Sequence, residues 1–96
     1  MDDSNNRYAF VGHLVRSKAR RDKGCEYLVL DLADDGKSLY VVDGRKRGVG
    51  CPKRKNIIHL QMTNKISQEF RRKVTAKEPL RNEEIRAYLT ELGIEQ

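Results

Sequence analysis

Residues 11–24, VGHLVRSKARRDKG, decide how the rest of this chain is interpreted. The stretch begins with apolar residues typical of a β-strand, and it ends at Gly24, a residue suited to a tight return. Five cations fall between these ends: Arg16, Lys18, Arg20, Arg21 and Lys23. A strand followed by a cationic loop and a glycine-closed return is an arrangement that presents positive charge to an anion.

The sequence around this loop predicts a mainly β fold. We expect strands over residues 8–17, 25–33 and 39–42, a short or edge strand within 45–55, and a last strand within 56–62. Asp-Gly pairs place further turns at Gly36 and Gly44. Five short strands with such turns are typical of a small, strongly bent antiparallel barrel.

Spacing by two predicts which strand residues share a face. Leu28, Leu30 and Leu32 are expected on one face of the second strand, with Tyr27 and Val29 on the other. In the first strand, Val11 shares its parity with Val15, and Phe10 shares its parity with Leu14. Strand tyrosines either pack in a core or stack on nucleic-acid bases. We favour the core for Tyr27 and Tyr40 and leave both readings open for Tyr8.

Beyond residue 62 the apolar spacing becomes helical. Apolar positions 66, 70 and 74 predict one helix, with Thr63 or Asn64 as its cap. Asn82 is the expected cap of a second helix, which Gly93 would end. The chain is thereby divided into a disordered tail at residues 1–7, a barrel at 8–62 and a helical extension at 63–96.

Composition favours a cytoplasmic protein with a polyanionic partner. The chain has 96 residues, a formal net charge of +6 and a pI near 9.5. No apolar run approaches the roughly 20 residues that a membrane span needs, and the opening MDDSNNRY is unlike a secretory signal. Cys25 and Cys51 are then expected to be free thiols.

Positive charge is concentrated in two runs. Residues 16–24 hold five cations and one acid, Asp22, whereas residues 44–55 hold six cations and no acid. The second run consists of Arg45, Lys46, Arg47, Lys53, Arg54 and Lys55. Because two connections of a strand meander can fall at the same end, we expect one shared patch. Its arginines suit phosphate, although a merely solvated surface is the alternative.

The first run also resembles the KOW motif, a strand–loop–strand unit of several ribosomal proteins and transcription elongation factors. The matching residues are Val15, Arg16, Ser17, Lys18, Ala19, Arg21, Asp22, Lys23 and Gly24. The later segment VVDGRKRGVGCPKRKNIIHLQMTN is similar to small bacterial KOW-domain proteins, so that the resemblance covers about residues 8–75. Arg20 stands where the family usually has glycine.

This resemblance implies an SH3-like barrel that binds RNA through the loop after its first strand. The RNA would be ribosomal or otherwise structured, and ribosomal proteins are further possible partners in translation. We expect a monomer with contacts from both cationic runs: Arg16, Lys18, Arg20, Arg21, Lys23, Arg45, Lys46, Arg47, Lys53, Arg54 and Lys55. The alternative is an SH3-like protein-interaction module in transcription or translation.

No sequence pattern indicates catalysis or a cofactor. His13, Cys25, Cys51 and His59 could ligate a metal, but they lack the close pairs that zinc sites use. The aspartates near the turns have no accompanying histidine and no acid–base spacing. We therefore expect a binding protein that has no metal and is not an enzyme.

Overall fold

The structure is a computed structural model that describes residues 8–94, so the predicted N-terminal tail lies outside the described part. Five strands form one antiparallel sheet in the order β4-β3-β2-β1-β5. They are β1 (His13–Ser17), β2 (Glu26–Leu32), β3 (Ser38–Val42), β4 (Lys53–Asn56) and β5 (Leu60–Ile66). A 3₁₀ turn (Ile57–His59) joins β4 to β5, and two helices follow, α1 (Gln68–Thr75) and α2 (Asn82–Glu91). The mainly β prediction, a small SH3-like barrel with two C-terminal helices, is confirmed.

The sheet carries a hydrophobic core on each face. The inner core, inside the bent sheet, contains Val15, Tyr27, Val29, Leu39, Val41 and Leu60. The outer core lies between the sheet and the helices and contains Val11, Leu14, Leu28, Val42, Phe70, Ile85, Tyr88 and Leu89. Strand alternation sends neighbouring residues such as Tyr27 and Leu28 to opposite cores. The helices therefore complete a core that the sheet begins.

Strand irregularities change the predicted faces at two places. The β2–β3 register shifts between Val29 and Asp31, and Leu32 consequently packs with the inner core while Leu28 and Leu30 belong to the outer one. The predicted common face for Leu28, Leu30 and Leu32 is therefore wrong for Leu32.

The first strand also begins later than predicted, because residues 8–12 form turns and β1 starts at His13. As a result Val11 packs with Leu14 in the outer core, and Phe10 packs with Val15 against the inner one. The predicted parities of Val11 with Val15 and of Phe10 with Leu14 are both wrong.

The helices also begin at other residues than predicted. Thr63 does not cap α1, because β5 continues to Ile66 and the Thr63 hydroxyl donates to Leu14 O. Ser67 is the cap, its Oγ accepting the Phe70 N–H at 3.3 Å. The predicted barrel boundary at residue 62 thus falls inside a strand. In α2 the cap is Arg81, one residue before Asn82, whereas Gly93, with φ of +90°, ends the helix as predicted.

The β3–β4 loop, residues 43–52, is docked on the first turns of α2. The Arg86 guanidinium donates to Gly44 O at 2.6 Å, and the Asn82 side chain accepts the Val49 N–H at 3.1 Å. Gly44 has φ of +78°, and a Cβ there would lie 2.6 Å from Asn82 O. Only glycine fits both this backbone conformation and this approach.

Candidate nucleic-acid interface

The cationic stretch forms a closed loop between β1 and β2, residues 18–25, here called the basic loop. Its neck is closed by two backbone hydrogen bonds of 2.9 Å, from Ser17 N–H to Cys25 O and from Gly24 N–H to Ser17 O. Gly24 has φ of +91°, so the predicted glycine-closed return is confirmed. The other two predicted turn glycines, Gly36 and Gly44, also have positive φ.

Asp22 is turned away from the tip of the basic loop and accepts hydrogen bonds from donors on three strands. Its Oδ1 lies 2.8 Å from Lys55 Nζ and 2.9 Å from Ser17 Oγ. Its Oδ2 lies 2.8 Å from the Tyr27 hydroxyl and 3.3 Å from Lys53 Nζ. The single acid of the loop is thereby neutralised from inside the barrel and opposes little of the charge at the tip.

The protonation of this cluster follows from its surroundings. Burial on its own would raise the pKa of Asp22, because a buried carboxylate loses hydration. Hydrogen bonds from Lys55 and the three other donors outweigh that effect and hold the pKa of Asp22 well below its usual range. Burial, and then the Asp22 carboxylate, raise the pKa of Tyr27. At neutral pH the pair is therefore an anion and a neutral hydroxyl donor.

Four cations of the first run point from the basic loop into solvent. Lys18, Arg20, Arg21 and Lys23 are all exposed. Within residues 8–94, no acidic side chain forms an ion pair with any of the four. Arg16, the fifth, pairs with Glu26 at 3.3 Å across β1 and β2. The tip of the loop thus concentrates positive charge at an exposed surface.

Lys55, one of the predicted RNA contacts, is a buried residue in the structure. Lys55 as a whole is only 5% exposed, and its ammonium lies within hydrogen-bonding distance of Asp22, Ser17 Oγ and Ala19 O. An ammonium held in this way is not available to a phosphate. Lys55 therefore ties the edge strand β4 to the basic loop, 33 residues away from Asp22 in sequence.

The remaining cations of the second run divide between two places. On β4, Lys53 contributes to the Asp22 cluster, and Arg54 forms an exposed ion pair with Asp35 at 2.7 Å. Arg45, Lys46 and Arg47 lie in the β3–β4 loop, where the Asp43 carboxylate accepts the Arg45 and Arg47 N–H groups. Arg45 borders one concave surface with Gly24 and Cys25. The second run therefore reaches the basic loop through Arg45, Lys53 and Lys55, whereas Arg54 pairs with the β2–β3 hairpin.

Arg20 occupies the position at which the KOW resemblance predicts glycine. Its φ is +73°, a conformation that costs a non-glycine residue about 1–2 kcal/mol. The loop therefore keeps a glycine-like backbone while displaying a guanidinium. Arg20 is thus compatible with a backbone conformation that favours glycine.

The tyrosines and cysteines considered in the sequence analysis lie in different parts of the structure. Tyr27 is in the inner core as predicted, whereas Tyr40 and Tyr8 are half-buried and line a cleft of about 590 Å³ with Pro52. Cys25 and Cys51 are free, as predicted, and both are exposed. Among residues 8–94 there is no cluster of three or more His, Cys, Asp or Glu placed to hold a metal ion. Nor does that part of the chain contain a helix of sufficient length and apolar character to cross a membrane.

Sequence reasoning missed the role of Asp22. The aspartate was counted as the one acid in a basic run and as a residue that matches the KOW motif, but no role was assigned to it, yet it organises the loop. The available signal was the position of an acid between Arg21 and Lys23, where repulsion between like charges would otherwise oppose compaction. Its partners on β4 could not be identified by spacing, because the barrel brings them together.

Comparisons with known proteins assign no family. The chain matches no protein-family model, and no curated protein matches it.

Proposed function

We propose that this protein is a non-catalytic RNA-binding module of the KOW type, which acts in the cytoplasm on ribosomal or otherwise structured RNA. The observation that carries the proposal is the basic loop, in which four exposed cations surround an acid that is neutralised from within. Because none of these four cations forms an ion pair within residues 8–94, their guanidinium and ammonium groups can bind phosphates directly.

The RNA is held mainly through its phosphates, with Arg45 and Lys46 extending the surface at the same end of the sheet. Phosphate contacts fix the position of a protein on RNA and depend strongly on salt. Four contacts from the basic loop correspond to a log–log salt slope between about −2.8 and −3.6, depending on strandedness. Recognition at this level follows the shape of the RNA rather than its sequence.

The test replaces two tip cations, Arg21→Ala with Lys23→Ala, and measures affinity for a structured RNA over a range of salt concentrations. We expect affinity to fall about tenfold or more, and the salt slope to become shallower by about 1.4–1.8, because two phosphate contacts are lost. Both side chains are exposed, so folding should be unaffected.

The matched control is Lys77→Ala with Arg81→Ala, which removes the same charge from the exposed connection between α1 and α2. This variant should bind as the wild type does. Equal losses in the two variants would mean that net charge alone attracts RNA, and a wild-type slope near zero would reject phosphate binding.

A protein-interaction module is the second candidate, favoured by the cleft that Tyr8 and Tyr40 line beside Pro52. Aromatic clefts on SH3-like barrels bind extended peptides. The Arg21→Ala with Lys23→Ala variant distinguishes the two candidates, because neither residue lines that cleft. If this variant keeps a protein partner and also keeps the wild-type affinity for RNA, the protein-interaction module is favoured.

A further inference from the structure

A second concave surface lies where the basic loop meets β4 and the 3₁₀ turn. It has a volume of about 370 Å³ and is lined by Arg20, Lys53, Arg54, Lys55, Asn56 and His59. Its volume falls in the range of small-molecule sites, about 300–1,000 Å³. It could admit one nucleotide but not a continuous RNA helix.

The charge of this concavity suits a single phosphate. Four cations line it, and two carboxylates compensate them: Asp22, shared by Lys53 and Lys55, and Asp35, paired with Arg54. Arg20 has no acidic partner among residues 8–94, and the Lys53 ammonium is partly exposed at its 3.3 Å contact. These two cations remain able to receive a phosphate oxygen.

The 3₁₀ turn that borders this concavity carries an exposed aliphatic side chain. Ile58 is 71% exposed, and it is the only large hydrophobic residue of residues 8–94 that is exposed. Its neighbours Asn56 and His59 line the concavity, and the Asn56 side chain accepts the Ile58 N–H at 3.1 Å. The Lys18 N–H donates to His59 O at 2.8 Å, which ties the turn to the basic loop.

Single exposed apolar residues are ordinary on protein surfaces. Ile58 differs because the turn that carries it is fixed at both ends, Ile57 N–H donating to Lys37 O at 2.8 Å. A cationic concavity bordered by a fixed turn with an exposed aliphatic residue matches a nucleotide, which is charged at its phosphate and flat and weakly polar at its base.

We propose that this concavity binds one unpaired nucleotide of the RNA, its phosphate on Arg20 and Lys53 and its base against Ile58 and His59. The inference rests on the proposed RNA-binding function and specifies the class of RNA, one with a bulge or loop. Bases in a continuous A-form helix are stacked and cannot reach such a site, whereas an unpaired base can turn outward.

The experiment compares two RNA duplexes that differ by a single bulged 2-aminopurine, with the full-length protein. Wild-type protein should bind both through the basic loop, bind the bulged duplex more tightly and change its 2-aminopurine fluorescence. Ile58→Ala should lower affinity for the bulged duplex about five- to tenfold, because the aliphatic contact is lost, and leave affinity for the paired duplex unchanged.

Arg20→Gly is a second variant that removes a proposed contact without straining the loop, since glycine accepts the φ of +73°. It should also reduce the preference for the bulged duplex. Thermal unfolding of both variants should match or exceed that of the wild type, so lost binding cannot be ascribed to misfolding.

Each failure has a separate signature. Equal binding of both duplexes by wild-type protein, or an Ile58→Ala variant that affects both duplexes alike or neither, overturns the nucleotide site. If Arg21→Ala with Lys23→Ala still weakens both duplexes in that case, the proposed function stands. If wild-type protein binds neither duplex, the proposed function itself fails.

Discussion

Asp22 sets the conformation of the basic loop through its side-chain contacts. Four side chains donate to it or pair with it, and two of these, Lys53 and Lys55, come from the far edge of the sheet. Breaking a buried ion pair by removing one partner typically costs about 3–5 kcal/mol, because the other charge stays buried. The anion within a cation-rich loop therefore supports the display of positive charge instead of opposing it.

The substitution Asp22→Asn tests whether this carboxylate holds the basic loop in place. We expect the free energy of unfolding in urea to fall by about 3 kcal/mol, because the Lys55 ammonium remains buried without its counter-ion. We also expect weaker RNA binding, although the substitution removes a negative charge, because the loop loses its anchor. Tighter RNA binding at unchanged stability would show that Asp22 acts only through its charge.

The same substitution should change the pH dependence of stability. A carboxyl whose folded pKa is depressed stabilises the fold above its unfolded pKa, about 3.9, and this contribution is lost as pH falls through the folded value. Wild-type protein should thus lose stability between about pH 5 and 2, and Asp22→Asn should show a shallower decline. Asp34→Asn, at an exposed hairpin acid, is the control that should keep the wild-type decline.

Sequence could predict which residues of the loop are cationic, but not which cations remain free. Arg21 and Lys55 are equivalent as members of basic runs, yet one is exposed and the other is 5% exposed. The difference arises because alternation on β4 turns Lys55 toward the inside of the barrel. That direction depends on pairing of Leu39 with Lys55, a contact between strands that no local pattern specifies.

At the scale of elements, the docking of the β3–β4 loop on α2 was not predictable. The Asp-Gly turn at Gly44 was predicted from local turn chemistry, and the structure confirms it. The approach of Asn82 to that turn depends on packing between elements that are distant in the chain. The start of α1 was misplaced for a related reason: pairing of Ile66 with His13 extends β5 into a segment with helical spacing.

Gly44→Ala tests this docking. We expect a loss of stability of about 2–3 kcal/mol, since the new Cβ meets Asn82 O at 2.6 Å and also occupies a backbone with φ of +78°. Gly36→Ala is the matched control, because Gly36 has φ of +69° but no atom within 4 Å of the added Cβ. It should cost only about 1 kcal/mol. Equal urea midpoints for the two variants would contradict a tight loop–helix contact.

For the whole molecule, the two cores lie on opposite faces of one sheet, so the helices and the barrel depend on each other. Phe70 on α1 is fully buried beside Leu14 and Leu28 in the outer core, with its ring 6.2 Å from that of Tyr88. Sequence predicted two helices, the first with an apolar stripe that needs a partner surface. It did not indicate that the sheet would be buried on both faces, since bulges alter the strand pattern.

Removing residues 67–96 should therefore prevent the β part from folding alone, because four outer-core residues that precede the helices, Val11, Leu14, Leu28 and Val42, would lose their cover. The expected observation is loss of amide dispersion in the NMR spectrum and of cooperative unfolding. Phe70→Ala in the full chain removes part of the same cover, and it should lower the free energy of unfolding by about 3–5 kcal/mol. A truncated chain that unfolds cooperatively, together with a Phe70→Ala variant of near wild-type stability, would show that the helices are a dispensable appendage. The basic loop depends on the inner core and on Asp22, so the folded Phe70→Ala variant should still bind RNA with the wild-type salt slope.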